Sequence, residues 1–279
     1  MLKSMVRSRR DLAHTARATT VARKDATRVS YGVDAPLVLF SLGLIAFALA
    51  ILAGFCLFVG FPGLGVLVGI AAVYAGLSAA SYAYTTRHGK FAVWRRLLEE
   101  QRLSGNERVL DLGCGRGLVL IEAARRLHRG RAVGVDSWRA EDQSGNAAQV
   151  TLANARASGV DDRIDIITAD MRQLPFADAS FDLVVSSLAM HNIDDPEGRQ
   201  QAIREGLRVL KPGGTILLAD FQYASDYVAT LRKAGVRDAK TRNLGWRFWY
   251  GGPFFATYLV RATKPRGADA SGTYTRALQ

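Results

Sequence analysis

From Ala35 to Thr86 the chain carries no Asp, Glu, Lys or Arg, an uncharged run of 52 residues. No disordered, fibrous or ordinary soluble single domain has such a stretch. A membrane-spanning helix takes about 20 apolar residues, so the run has room for two. Phe61-Pro62-Gly63 near its middle disfavours helix continuation and supplies the break. We read the spans as roughly Leu37–Val59 and Gly65–Tyr84, with Tyr82 and Tyr84 where aromatic rings favour the interface. A secretory signal starts earlier and is shorter than this run. A helical hairpin buried inside a soluble core is the rival reading, and lipid is the simpler partner.

The flanking charges set the orientation. Arg17, Arg23, Lys24 and Arg28 precede the run, Arg87, Lys90, Arg95 and Arg96 follow it, and the short connection carries none. The positive-inside rule then puts both ends, and whatever follows, in the cytoplasm, as a multi-pass protein of the cytoplasmic (inner) membrane. Residues 1–34 hold eight Lys/Arg and three Asp, a large part of the net charge of +12. Topology and headgroup attraction account for that excess better than nucleic acid does. In the second span Gly65, Gly69, Ala72, Gly76 and Ala80 form a ridge of small residues that lets another helix come close. Its expected use is packing against Gly43, Ala46, Ala50 and Ala53 of the first span; a homodimer through the helices is the second use.

Two cysteines, Cys56 inside the run and Cys114 far from it, make no disulfide framework. The four histidines are scattered, and no spacing suits a metal, so no metal site is expected. Beyond Arg87, Phe91, Trp94, Leu97 and Leu98 share one helical face. Strands are expected at Arg108–Leu112, Ala132–Asp136, Ile164–Ala169, Leu183–Ser187 and Thr215–Asp220, alternating with helices at Leu118–Leu127, Ala147–Ala157 and Gln200–Leu210. Such alternation implies an α/β fold with a mostly parallel sheet and helices on both faces. Lys240–Tyr250 and Phe254–Lys264 flank Gly251-Gly252-Pro253 and suggest a terminal antiparallel hairpin. The expected organisation is a basic tail (1–34), a helical hairpin (35–86), a globular domain (87–264) and a polar, disordered tail (265–279).

Asp111-Leu112-Gly113-Cys114-Gly115-Arg116-Gly117 follows the first strand and opens the first helix. Glycines let the backbone turn sharply and approach a ligand closely. A dinucleotide fingerprint needs a glycine three positions after Gly115, where Leu118 stands, so that reading fails. The pattern instead resembles motif I of class I S-adenosylmethionine-dependent methyltransferases. Gly134-Val135-Asp136, Ala169-Asp170-Met171, Leu174-Pro175-Phe176 with Ser180–Val185, and Val209–Gly214 resemble, in order, later signals of the small-molecule group of that family. The resemblance covers about residues 90–262. It implies a Rossmann-like seven-stranded sheet, S-adenosyl-L-methionine as cofactor, and contacts from Asp111, Gly113, Gly115, Gly117, Asp136, Ser137, Trp138, Asp170, Met171 and Ser187.

Asp136 at a strand end would accept hydrogen bonds from two ribose hydroxyls. Asp111 either meets the methionyl ammonium or only orders the glycine loop. Asp170 is placed on the adenine amino group or as a helix cap, and Trp138 on the adenine or in the core. Methyl transfer is an in-line displacement for which alignment and water exclusion suffice. His191, after the fourth strand, is either a general base or a structural histidine. The Asn/Asp-Pro-Pro-aromatic motif of nucleic-acid amine methyltransferases is absent from Ser186–Ile193, which argues against a nucleic-acid substrate. The polar stretch Arg139–Asn146 reads as a solvated loop with Ser144 or Asn146 capping the next helix. Trp246, Phe248, Trp249 and Tyr250 are expected to pack under the sheet edge, with membrane or substrate as the other faces. A membrane-anchored methyltransferase acting on a small or lipophilic acceptor is the leading reading. A protein or RNA methyltransferase using the basic tail, and a non-catalytic cofactor-binding module, are its alternatives.

Overall fold

The computed structural model describes residues 29, 31–138 and 147–266. Most of the basic tail, the Arg139–Asn146 stretch with its expected caps, and the polar tail from 267 lie outside the described residues.

The uncharged run forms two 23-residue helices, α1 (Pro36–Phe58) and α2 (Pro62–Tyr84), each opened by a proline that is tolerated in a first helical turn. They start one and three residues before the positions read from sequence. Their outward side chains are bare: Leu37 is 78% and Phe58 89% exposed. That counts against the buried-hairpin rival, because none of the described residues builds a core around these helices. Each is long and apolar enough to cross a membrane. Gly65 packs on Leu57 and Gly69 approaches Ala53, so the first part of the small-residue ridge serves the helix pair itself. Gly76 faces open space instead, since the buried positions further along α2 are Ala75, Ser78 and Tyr82.

Past Tyr84 the chain does not break. A single π-helical turn, Thr85–Gly89, joins α2 to α3 (Lys90–Glu100). The turn sits where the 244–257 segment docks: Thr85 Oγ1 donates to the Trp249 carbonyl at 2.7 Å, and a Cβ at Gly89 would overlap the Arg247 carbonyl oxygen. The inward face of α3 buries Trp94, Leu97 and Leu98, three of the four positions read from sequence, with Val93 beside them, whereas Phe91 is only partly covered.

The globular part alternates β1 (Arg108–Leu112), α4 (Leu118–Ala124), β2 (Arg131–Asp136), α5 (Ala148–Ala157), β3 (Ile164–Thr168), β4 (Phe181–Ser187), α6 (Pro196–Val209), β5 (Leu210–Asp220), α7 (Ala224–Lys233), β6 (Lys240–Asn243) and β7 (Tyr258–Thr263). The seven strands run β3-β2-β1-β4-β5-β7-β6, parallel except for β7, which pairs antiparallel to both neighbours. One apolar cluster fills each face of the sheet, around Leu120 and Leu127 on one side and Ile203 and Leu231 on the other. Strand order reverses between β1 and β4, and in such sheets the crevice at that point takes the ligand.

Three elements depart furthest from expectation. Strand β5 starts at Leu210, earlier than Thr215, because the chain through Gly213 (φ 82°) stays paired across a register irregularity. Helix α7 was not read at all; only Tyr227, Val228, Thr230 and Leu231 of its ten residues are buried, too short a pattern to stand out. The terminal hairpin pairs only over Lys240–Asn243, because 3₁₀ turns at Trp246–Phe248 and Pro253–Phe255 fold its long connection. A lone Trp249–Ala256 bridge survives inside it.

Candidate active site

Beside the switch point the ends of β1, β2, β4 and β5 open onto a cavity of about 550 Å³. Its floor is the glycine loop. Gly113 and Cys114 donate their amides to the Val135 carbonyl, Thr151 Oγ1 donates to the Gly115 carbonyl at 2.6 Å, and Asn154 donates to Arg116. The loop is thus pinned from β2 on one side and α5 on the other. Gly113 has φ 71°, and a Cβ there would meet that of Ala189 at 2.2 Å, so no other residue fits.

Two carboxylates border the loop. Asp136 accepts from the Gly115 amide at 2.8 Å and the Trp138 amide at 2.7 Å. These bonds fix its carboxylate in the lining of the cavity. Asp111 is 1% exposed, and neither oxygen has a hydrogen-bond partner among the described residues; the Leu120 amide faces it without meeting hydrogen-bond geometry. Burial, with a further push from the Asp136 charge, lifts its carboxyl up to about 8. A buried, unpartnered acid of this kind calls for a cation. S-adenosylmethionine carries one on its amino-acid end and two ribose hydroxyls for Asp136, so the residues present fit the cofactor. Burial raises the Cys114 thiol as well, which leaves it an inert wall group.

His191 lies on a short 3₁₀ turn after β4, with Nδ1 2.9 Å from Asp220 Oδ1 at the end of β5. The approach is within ion-pair range but lacks the angle of an aligned hydrogen bond. Asp220 also accepts from the Phe221 amide at 2.8 Å and the Tyr227 hydroxyl at 3.2 Å. Burial and the Asp220 charge hold the Tyr227 phenol well above its ordinary range, so it stays a donor. With Nδ1 turned to Asp220, Nε2 is the ring nitrogen left for the cavity, and the ring stands 4.6 Å from that of Phe221.

Asp111, Gly113, Gly115, Asp136, Ser137, Met171, Ser187 and His191 therefore share one cavity. Three other sequence candidates lie outside its lining. Gly117 (φ 84°) turns the chain into α4. Trp138 donates its indole N–H to Thr168 Oγ1 and packs on the core, the alternative kept open for it. Asp170 is exposed and tied to Arg172, whose guanidinium reaches it at 2.6 Å and whose amide it accepts at 2.8 Å.

Sequence reasoning missed the other wall. Asp34, at the edge of the uncharged run, meets Lys90 Nζ at 2.6 Å, the Thr86 hydroxyl at 3.0 Å and the Tyr250 hydroxyl at 2.8 Å, while its carbonyl accepts from Tyr82. Lys90, counted in the sequence among the flanking charges that set orientation, is buried in this pair. Burial first and the Asp34 charge second push the Tyr250 phenol far up. The aromatic cluster accordingly divides: Phe248 is buried in the core, Tyr250 lines the cavity, and Trp246 stacks on Tyr84 at 5.2 Å with half its surface exposed. A polar residue closing a parallel strand was the available signal for Asp220; no local spacing links Asp34 to Tyr250.

Residues 109–214 match the family described as methyltransferase domain. Among curated proteins, the 27-O-demethylrifamycin SV methyltransferase of Amycolatopsis mediterranei is 39% identical over 121 residues, 43% of this chain and 40% of that protein. A ubiquinone/menaquinone biosynthesis C-methyltransferase of Geotalea daltonii is 31% identical over 148 residues, 51% of this chain and 59% of its own length. The chain thus spans between 40% and 59% of these relatives. The solved structure of the (4+2)-cyclase SpnF superposes with a TM-score of 0.52 at 22% identity, over 62% of this chain and 81% of that one, a likeness of fold alone. Motif, sheet order and family match agree: residues 109–214 of this chain form a methyltransferase domain, and the sheet around them is similar to that of class I S-adenosylmethionine-dependent methyltransferases.

Proposed function

We propose that the chain is a membrane-anchored methyltransferase that methylates a small, lipophilic acceptor on the cytoplasmic side of the inner membrane. Asp111 carries the reading: a buried carboxylate with no hydrogen-bond partner among the described residues, in one cavity with Asp136, the glycine loop and His191. The bare apolar surfaces of α1 and α2 and the flanking Lys/Arg support the anchor and its orientation. The names of the rifamycin and the ubiquinone/menaquinone relatives support an organic small-molecule acceptor.

S-adenosylmethionine, when bound, supplies a methyl group on a sulfonium centre. Asp111 would hold the ammonium of its amino-acid end, Asp136 the ribose hydroxyls, and Ser137, Met171 and Ser187 the remaining walls. His191 would take the proton of an acceptor O–H or N–H at Nε2, with Asp220 orienting the ring and balancing the imidazolium.

Incubating the full chain in detergent with methyl-labelled cofactor and a membrane lipid extract tests this reading. Label in an organic-soluble small molecule is the expected outcome. Label confined to protein or RNA would move the assignment to a macromolecular acceptor, and calorimetry without cofactor binding would leave a non-catalytic module.

A further inference from the structure

The cavity has an arm that the donor site does not use. Beyond His191 and Tyr250 it continues between the two long helices, walled by Val38 and Leu42 on α1 and Tyr74 and Ser78 on α2. With a rise of 1.5 Å per residue, Ser78 stands about 9 Å and Tyr74 about 15 Å along the axis from Tyr84. With Tyr84 at the interface, where the sequence reading puts it, the arm would reach roughly half-way into a hydrocarbon slab about 30 Å thick. Gly251 lies beside Leu42 and Ser78, and Gly252 beside the Tyr74 hydroxyl, so the 244–257 segment closes the near side. The same segment turns Phe254 (83% exposed) outward, the disposition of a ring that sits in a lipid interface, while Phe255 lines the cavity. Where the arm meets the donor site, its surface becomes polar through Asp34, Lys90, Tyr250 and His191.

A passage that is apolar toward lipid and polar toward the reacting groups matches an amphiphile. We propose that the arm binds the hydrocarbon chain of a bilayer-resident amphiphile, which enters sideways between α1 and α2 and brings its nucleophilic headgroup to His191. A helix from a second copy is about 10 Å across and does not fit a cavity of about 550 Å³ shared with the donor. A single extended chain does. The fate of the headgroup rests on the methyltransferase reading; the chain site rests only on the arm.

The test uses the full chain in phosphatidylcholine vesicles with hexadecanol that carries a mid-chain diazirine. After irradiation, adducts should concentrate on the peptides holding Leu42 and Tyr74–Ser78, and excess unlabelled hexadecanol should compete them away. Ser78→Trp or Leu42→Trp should each lower this labelling several-fold, and Val73→Trp, on the lipid-facing side of α2, should not. Because either plug can disturb helix packing, the wild-type adduct map decides by itself. Adducts spread evenly over lipid-facing positions such as Val73 and Leu77, or carried by a second copy of the chain, would overturn the proposal. Calorimetry with S-adenosylmethionine runs in parallel. Intact cofactor binding with uniform labelling removes the arm alone; focused labelling without cofactor binding removes the methyltransferase reading and leaves the arm.

Discussion

The two walls of the cavity are built by different means. The donor wall is local: Asp111 to Gly117 is one turn between a strand and a helix, and Asp136 ends the neighbouring strand in register with it. Its geometry follows from glycine conformations and ladder hydrogen bonds. The opposite wall joins a segment before the first long helix, the end of the second, and a loop near the C-terminus; Tyr250 and Asp34 are 216 positions apart. It is held by a buried ion pair and hydroxyls. A wall made by backbone geometry tolerates loss of a distant contact. A wall made by a polar hub does not, because removing one member strands the others without partners.

That contrast can be broken at four places. The largest effect is expected at His191, which the two walls share. His191→Ala should lower turnover by about 10²–10⁴-fold with cofactor affinity unchanged, as removal of a general base does; equal turnover would make it structural. Next, Asp34→Ala should destabilise the junction by about 3 kcal/mol, since Lys90 is left buried without its partner. Thermal unfolding in detergent measures that loss, and cofactor affinity that falls as steeply would show the walls to be one unit. Third, Asp136→Ala should weaken cofactor binding about tenfold or more by calorimetry while leaving the junction's stability alone.

The smallest effect on binding is a pH dependence confined to the donor wall. Asp111 has its carboxyl pushed from 3.8 up to about 8 by burial. Between those values the folded chain keeps a proton that the unfolded chain has released. Stability without ligand therefore falls as pH rises from about 4 to about 8 and levels off above. A cationic ligand needs the ionised form, so its affinity should rise roughly fivefold from pH 7 to pH 8. Asp111→Asn should abolish both trends; a slope that persists assigns them elsewhere.

How much could be read beforehand follows the same division. Strand β1 was placed at Arg108–Leu112, and the glycine loop, Asp136 and His191 were found as cavity groups, because each is announced by neighbours within a few positions. Trp138 and Asp170 were legible as residues near strand ends but not in their roles. Competition from Thr168 and Arg172 for the same side chains is decided in three dimensions. The Asp34–Lys90–Tyr250 hub has no signal in the sequence, where Lys90 enters only as one of the flanking charges that set orientation.

By itself the sequence determined that two apolar helices precede an α/β domain, and that a glycine turn with acidic neighbours opens its sheet, because period, composition and backbone permissiveness are properties of short segments. Only the tertiary structure decided that the cavity runs on from that turn into the seam between the helices. Which distant polar groups meet depends on how the whole chain packs, and burial makes those meetings obligatory rather than incidental.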